Sequence, residues 1–328
     1  MDDRPIGMFD SGFGGLTVAR AVIDLLPDEH LVYIGDTGRY PYGPRAQDEL
    51  RGFAHQITGH LVAHHDVKLV VVACNTAASA APLAELEAQV GVPVVGVIEP
   101  GARSLVTATR SGRVGVIGTV GTIASGAYHR AVRAVAAAGR SGPSRDGDGA
   151  GPGGGAGRPV QLTCAACPGF VEFVEKGETA SDQVHVLAER LLAPVRDAKV
   201  DALLLGCTHY PFLARTIADV MGRDVVLVSS ADETAFEVRR LLLATGLARR
   251  REPGDGPARH RWLSSGDVAW FRQLGRRLLG PELAAAEPVA WPELAAAEPI
   301  AWPENPSDPS PPATDPATRG GPGSGGPP

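Results

Sequence analysis

Short, almost unbroken runs of apolar and β-branched residues alternate along this chain with longer stretches that gather Ala and Leu on one helical face. The runs predict strands over 6–9, 31–34, 68–73, 94–98, 114–117, 160–163, 202–205 and 225–228. Between them, 15–26, 47–64 and 183–193 predict helices. A strand buried on both faces reads as a continuous apolar run, so this order predicts βα units on parallel sheets.

The two halves echo each other. Ile6-Gly7-Met8-Phe9-Asp10-Ser11-Gly12 is a strand running into a Gly-rich turn, and Val114-Gly115-Val116-Ile117-Gly118-Thr119 repeats the plan. Asp10 precedes Cys74 by 64 residues and Thr119 precedes Cys207 by 88. Most of the difference lies in segment 140–157, 18 residues of Gly, Ser, Pro, Ala, Arg and Asp. Such a composition buries too little to offset the entropy of ordering, and a flexible insertion is expected there. The expected fold class is α/β, with two pseudo-symmetric doubly wound lobes, parallel sheets and a site at the lobe interface. The first lobe is expected over 1–98, completed by 211–280, and the second over 99–210. A low-complexity tail is expected over 281–328. Within it, 281–291 recurs as 292–302 with only Val289 changed, to Ile300. A tandem copy this short and broken by prolines is no solenoid. The Pro/Gly/Ser-rich sequence beyond it is expected to be disordered. A binding role for Trp291 and Trp302 competes here with an unselected duplication, and the duplication is the expectation. Deleting 140–157 or 281–328 is accordingly expected to change activity little.

Composition narrows the class. A chain of 328 residues with 44% hydrophobic content supports two domains. Its net charge of -6 supplies no field for nucleic acid or an anionic membrane. Four cysteines do not make a disulfide framework and suit a reducing compartment. With no apolar stretch long enough to span a membrane and no signal-peptide pattern, a cytoplasmic enzyme is expected.

Two of the cysteines carry the chemistry. Cys74 closes Val70-Val71-Val72-Ala73 and is followed by Asn75-Thr76; Cys207 closes Ala202-Leu203-Leu204-Leu205-Gly206 and is followed by Thr208-His209. A thiol at the carboxyl end of a parallel strand lies where α/β sheets place ligands, near a helix start that favours the thiolate. A lone buried Cys is more often a small hydrophobe. The same flanks appearing twice point instead to a pair facing each other across a substrate, one taking a proton and the other returning one.

Other chemistries find less support. Cys164-Ala165-Ala166-Cys167 lacks a redox context. Zinc on Cys74, Cys207 and His209 is conceivable, but the Asn and Thr neighbours read as substrate donors. His60, His64 and His65 read as a solvated face rather than a metal pair. Gly12-Phe13-Gly14-Gly15 lacks the third Gly of a nucleotide fingerprint. Of the lysines that pyridoxal phosphate would need, only Lys68, Lys176 and Lys199 exist, none in a convincing place. The expectation is no cofactor and no metal.

Four motifs in order now identify a resemblance: Phe9-Asp10-Ser11-Gly12-Phe13-Gly14-Gly15-Leu16-Thr17; Gly35-Asp36-Thr37 with Pro41-Tyr42-Gly43; Ala73-Cys74-Asn75-Thr76-Ala77; and Gly206-Cys207-Thr208-His209-Tyr210-Pro211. From about residue 6 to 280 the chain resembles bacterial glutamate racemase, of the aspartate/glutamate racemase superfamily. The resemblance implies Cys74 and Cys207 as paired acid and base, with Asp10 auxiliary to the first and His209 to the second. It implies that Asp10, Ser11, Tyr42, Gly43, Asn75, Thr76 and Thr208 hold the amino acid. Thr119 and Thr122, in the second Gly-rich turn, would add donors to a carboxylate. Glu175 matches a family Glu that tunes the histidine; a solvated helix-face Glu is the other reading, and Gly169 replaces a usual apolar residue nearby. Also implied are interconversion of L- and D-glutamate for peptidoglycan and a homodimer. Aspartate racemase is the nearest alternative. A non-catalytic protein that contacts DNA gyrase is a second, and pull-down of gyrase by a protein lacking both thiols would separate that role from catalysis.

Overall fold

The computed structural model describes residues 2–140, 159–252 and 254–291. The expected insertion falls, from residue 141 on, outside the described residues, as does the second copy of the tandem repeat. Ten strands are described: β1 (Ile6–Asp10), β2 (Leu31–Gly35), β3 (Leu69–Val72), β4 (Val94–Gly96), β5 (Arg113–Gly118), β6 (Gln161–Ala166), β7 (Ala202–Gly206), β8 (Val226–Ser229), β9 (His260–Ser264) and β10 (Glu287–Pro288). They form two parallel sheets, ordered β10-β9-β2-β1-β3-β4 and β6-β5-β7-β8. The run β2-β1-β3-β4 of the first sheet matches β6-β5-β7-β8 of the second. The echo read in the sequence is therefore also an echo of topology, with β3 and β7, the two cysteine-bearing strands, in equivalent places.

The period of two sorts side chains between layers. In β3, Leu69 and Val71 enter one apolar cluster, while Val70 and Val72 enter another under helix Gln47–His65. In β7, Leu203 and Leu205 join the first cluster, while Ala202 and Leu204 join a third beneath helices Ile98–Ala108 and Ala127–Arg140. The first cluster thus runs through both lobes. Helix Ser230–Thr245 adds Val238 and Leu242 to it and packs on both Leu16–Leu25 and Ile98–Ala108, so the lobes share a core. No helix among the described residues is long and apolar enough to cross a membrane.

Three boundary expectations are corrected. The strand expected over 94–98 ends at Gly96, because Ile98 already starts a helix whose first turn accommodates Pro100. The return to the first lobe comes later than residue 211: β8 pairs β7, so the second sheet continues to Ser229. The tail begins later than residue 281. β10 extends the first sheet alongside β9, Leu283 and Trp291 are buried, and the Val289 N–H donates to the Ser264 carbonyl at 2.9 Å.

Candidate active site

The carboxyl ends of strands from both sheets open onto one cavity of about 370 Å3. From the first lobe it is lined by Ser11, Tyr42, Gly43, Cys74, Asn75 and Thr76. From the second come Thr119, Cys207, Thr208 and His209. Asp10, Thr122 and Glu175 do not line it; each stands behind a residue that does.

Cys74 leaves β3 as the N-cap of helix Asn75–Ala80, and its Sγ accepts the Ala77 N–H at 3.5 Å. It also donates to Ser11 Oγ at 3.6 Å. At Cys74 the expected preference for a thiolate does not hold. Burial, and next the charge of Asp10, push the Cys74 thiol up to about 12, outweighing the N–H of Ala77 and the Ser11 contact. Both thiols are buried: Cys74 is 4% and Cys207 6% exposed.

Asp10 ends β1 fully buried. Its Oδ2 accepts the N–H groups of Gly12 and Gly15 at 3.1 and 3.0 Å, and its Oδ1 faces the Thr208 hydroxyl of the other lobe at 3.5 Å. The Gly-rich turn is thus wrapped around a carboxylate. Its glycines serve close approach: a Cβ on Gly15 would lie 2.5 Å from Asp10 Cβ, and one on Gly14 would lie 2.5 Å from both His209 Nδ1 and Thr208 Oγ1. Gly14→Ala is therefore expected to push His209 and Thr208 off their positions and to lower kcat about tenfold or more, as small misplacements of reacting groups do. Steady-state kinetics on the folded variant checks this.

On the opposite wall, Cys207 Sγ lies 3.9 Å from His209 Nδ1, and His209 Nε2 lies 3.4 Å from Glu175 Oε1. All three side chains are buried. The His209–Glu175 contact lacks the alignment of a good hydrogen bond, so charge holds it. Burial lowers the His209 pKa, but the hydrogen bond to Cys207 and the Glu175 carboxylate outweigh it and bring the ring up to about 10. The structure thus places Glu175 against the histidine rather than on a solvated face.

Donors for a carboxylate converge between the lobes. The hydroxyls of Thr76, Thr119 and Thr122 form a triangle with sides of 2.9 to 3.1 Å. Asn75 Oδ1 accepts the Tyr128 hydroxyl at 2.6 Å, which fixes the amide and leaves Nδ2 as a buried donor with no partner among the described residues. Tyr128 lies in helix Ala127–Arg140, outside every motif, and carried no sequence signal. Tyr40, Pro44, Val120 and Glu172 also line the cavity, as do Cys167 and Pro168 at the end of β6. For Tyr40 and Pro44, adjacency to Pro41-Tyr42-Gly43 was a usable signal.

The other candidates lie apart. Lys68 is buried at the amino end of β3, 2.6 Å from Glu29 Oε2. His60 and His64 stack with ring centroids 4.2 Å apart. Cys164 lies 3.8 Å from His129 Nδ1, and all four cysteines are free. Among the described residues no group of three or more His, Cys, Asp or Glu side chains is placed to hold a metal ion.

Comparison with known proteins gives the family. The profile of the Asp/Glu/Hydantoin racemase family matches residues 16–237. The glutamate racemase of Parafrankia sp. is 49% identical over 285 residues, covering 87% of this chain and 94% of its own. That of Mycobacterium tuberculosis is 47% identical over 286 residues, covering 87% and 96%. The structure of glutamate racemase from Thermus thermophilus in complex with beta-chloro-D-alanine superposes with a TM-score of 0.72 at 40% identity, covering 89% of this chain and all of its own. Glutamate racemase from Francisella tularensis in complex with D-glutamate gives 0.73 at 29% identity, covering 89% and 98%. The chain belongs to the Asp/Glu/Hydantoin racemase family, among its glutamate racemases.

Proposed function

We propose that this protein interconverts L- and D-glutamate by proton transfer between the α-carbon and two thiols, Cys74 and Cys207. The observation that carries the reading is the pair itself: equivalent strands of two matching sheets deliver one thiol each to the same cavity. In one direction the Cys207 thiolate, beside the His209 imidazolium, takes the α-proton and becomes a thiol. The Cys74 thiol gives its proton to the opposite face of the carbon and becomes a thiolate. The reverse reaction exchanges the roles. In that direction the substrate ammonium offsets the Asp10 charge, which adds to burial in keeping Cys74 protonated.

Charge that develops on the α-carboxylate as the proton leaves needs donors already in place. Asn75 Nδ2 and the hydroxyls of Ser11, Thr76 and Thr208 supply neutral ones. The second carboxylate of the substrate suits the Thr119 hydroxyl and the N–H groups around it. The reaction as written is carried by side chains of this chain alone. We place it in the cytoplasm, where four unpaired thiols stay reduced, and the supply of D-glutamate for peptidoglycan is its expected use.

Circular dichroism of L-glutamate and L-aspartate incubated separately with purified protein tests the substrate. Loss of the glutamate signal to zero with aspartate unchanged is expected; loss with aspartate alone would overturn the assignment.

A further inference from the structure

Asp36 follows β2 directly and is fully buried. Its Oδ1 accepts Ser265 Oγ at 2.6 Å and Trp291 Nε1 at 2.7 Å; its Oδ2 accepts Arg39 Nε at 2.7 Å and the Tyr42 hydroxyl. Four donors occupy the four acceptor sites of one carboxylate. Tyr42 is a wall of the cavity, and the carbonyl of the next residue, Gly43, accepts the Gly121 N–H from the second lobe at 3.1 Å. The Trp291 ring also covers the Arg39 guanidinium, 4.9 Å from its centroid, with Phe53 covering it at 4.0 Å.

We infer that Trp291 is a positioning residue for racemisation: it fixes Asp36, and through Asp36 the Tyr42–Gly43 wall against which the amino acid docks. The inference rests on the proposed glutamate chemistry and gives the first copy of the tandem repeat a function. Without the indole N–H, Oδ1 keeps one donor of two in a site water does not reach. The carboxylate then turns toward its remaining partners, and the Tyr42 hydroxyl turns with it.

The test uses the full chain with Trp291→Phe, Trp291→Ala, Tyr42→Phe and the Trp291→Phe/Tyr42→Phe pair. Each Trp291 variant is also made with Trp302→Ala, so that the repeated sequence at 292–302 does not stand in. Trp291→Phe is expected to raise KM for glutamate about five- to tenfold with kcat within about twofold, the loss of one hydrogen bond to a buried charge. Trp291→Ala is expected to raise KM further. The two Phe substitutions should be less than multiplicative in KM, because both donors serve one carboxylate. A second readout needs no substrate: iodoacetamide should alkylate Cys74 several-fold faster in Trp291→Phe, read by peptide mass. Folded variants with unchanged KM, or independent effects of the two substitutions, overturn the inference. Should the wild type fail to racemise glutamate, the substrate assignment falls instead, and an unchanged alkylation rate would then overturn the role of Trp291.

Discussion

Replacing either Cys74 or Cys207 with alanine is expected to lower racemisation about 10³-fold, within the range that a general acid or base contributes. Each thiol lines the cavity, and the substitution removes only the sulfur atom, so the melting temperature should move little. The two variants should differ in a way that single-base chemistry does not allow. With Cys74 absent, Cys207 and its histidine still remove the α-proton of one enantiomer, and solvent exchange of that enantiomer should persist without inversion. With Cys207 absent, exchange of the other enantiomer should persist. Proton NMR of each enantiomer in deuterated water reads this directly. Exchange of both enantiomers by both variants would contradict the pairing.

His209→Gln is expected to cost about 10²-fold, the lower part of the same range. Its loss removes the positive charge 3.9 Å from the Cys207 sulfur. L- and D-glutamate have equal free energies, so kcat/KM must fall equally in both directions. The pH dependence follows from the ring, whose pKa is raised from the usual 6.5 to about 10 because its contacts with Cys207 and Glu175 outweigh burial. A pKa raised on folding contributes stability that is fully present below pH 6.5 and is lost as pH rises through about 10. Activity should follow on the alkaline side, since the thiolate loses its counter-ion over the same interval. The His209→Gln variant should lack that limb. An unchanged alkaline limb in the variant would assign it to another group.

Much of the site was legible because it sits where sequence speaks locally. Val70 to Val72 and Leu203 to Leu205 are continuous apolar runs that end in Cys-Asn-Thr and Cys-Thr-His, so strand, turn and chemistry share a few adjacent residues. What lay in tertiary contact was hidden. Tyr128 reaches Asn75 across the lobes from the first turn of an alanine-rich helix. β9, His-Arg-Trp-Leu-Ser, is too polar at its start to read as a strand without β2 beside it.

The tail shows the same limit most plainly. Residues 281–291 and 292–302 are almost identical in sequence, and nothing local says that Trp291 lies buried against Asp36, 255 positions earlier. Removing everything from residue 281 is therefore no longer expected to be harmless. The thiol chemistry was misread for a related reason. A six-residue helix start favours a thiolate only if solvent and neighbouring charge permit, and burial beside Asp10 reverses the preference at Cys74.

Transfer between two bases is read from the isotope at the α-carbon of D-glutamate formed from protiated L-glutamate in deuterated water at low conversion. The first product is expected to be fully deuterated while the remaining substrate stays protiated, because the proton taken by one thiol is not the one returned by the other. Product that retains protium would mean that a single base carries the proton across, and would rule out transfer between Cys74 and Cys207.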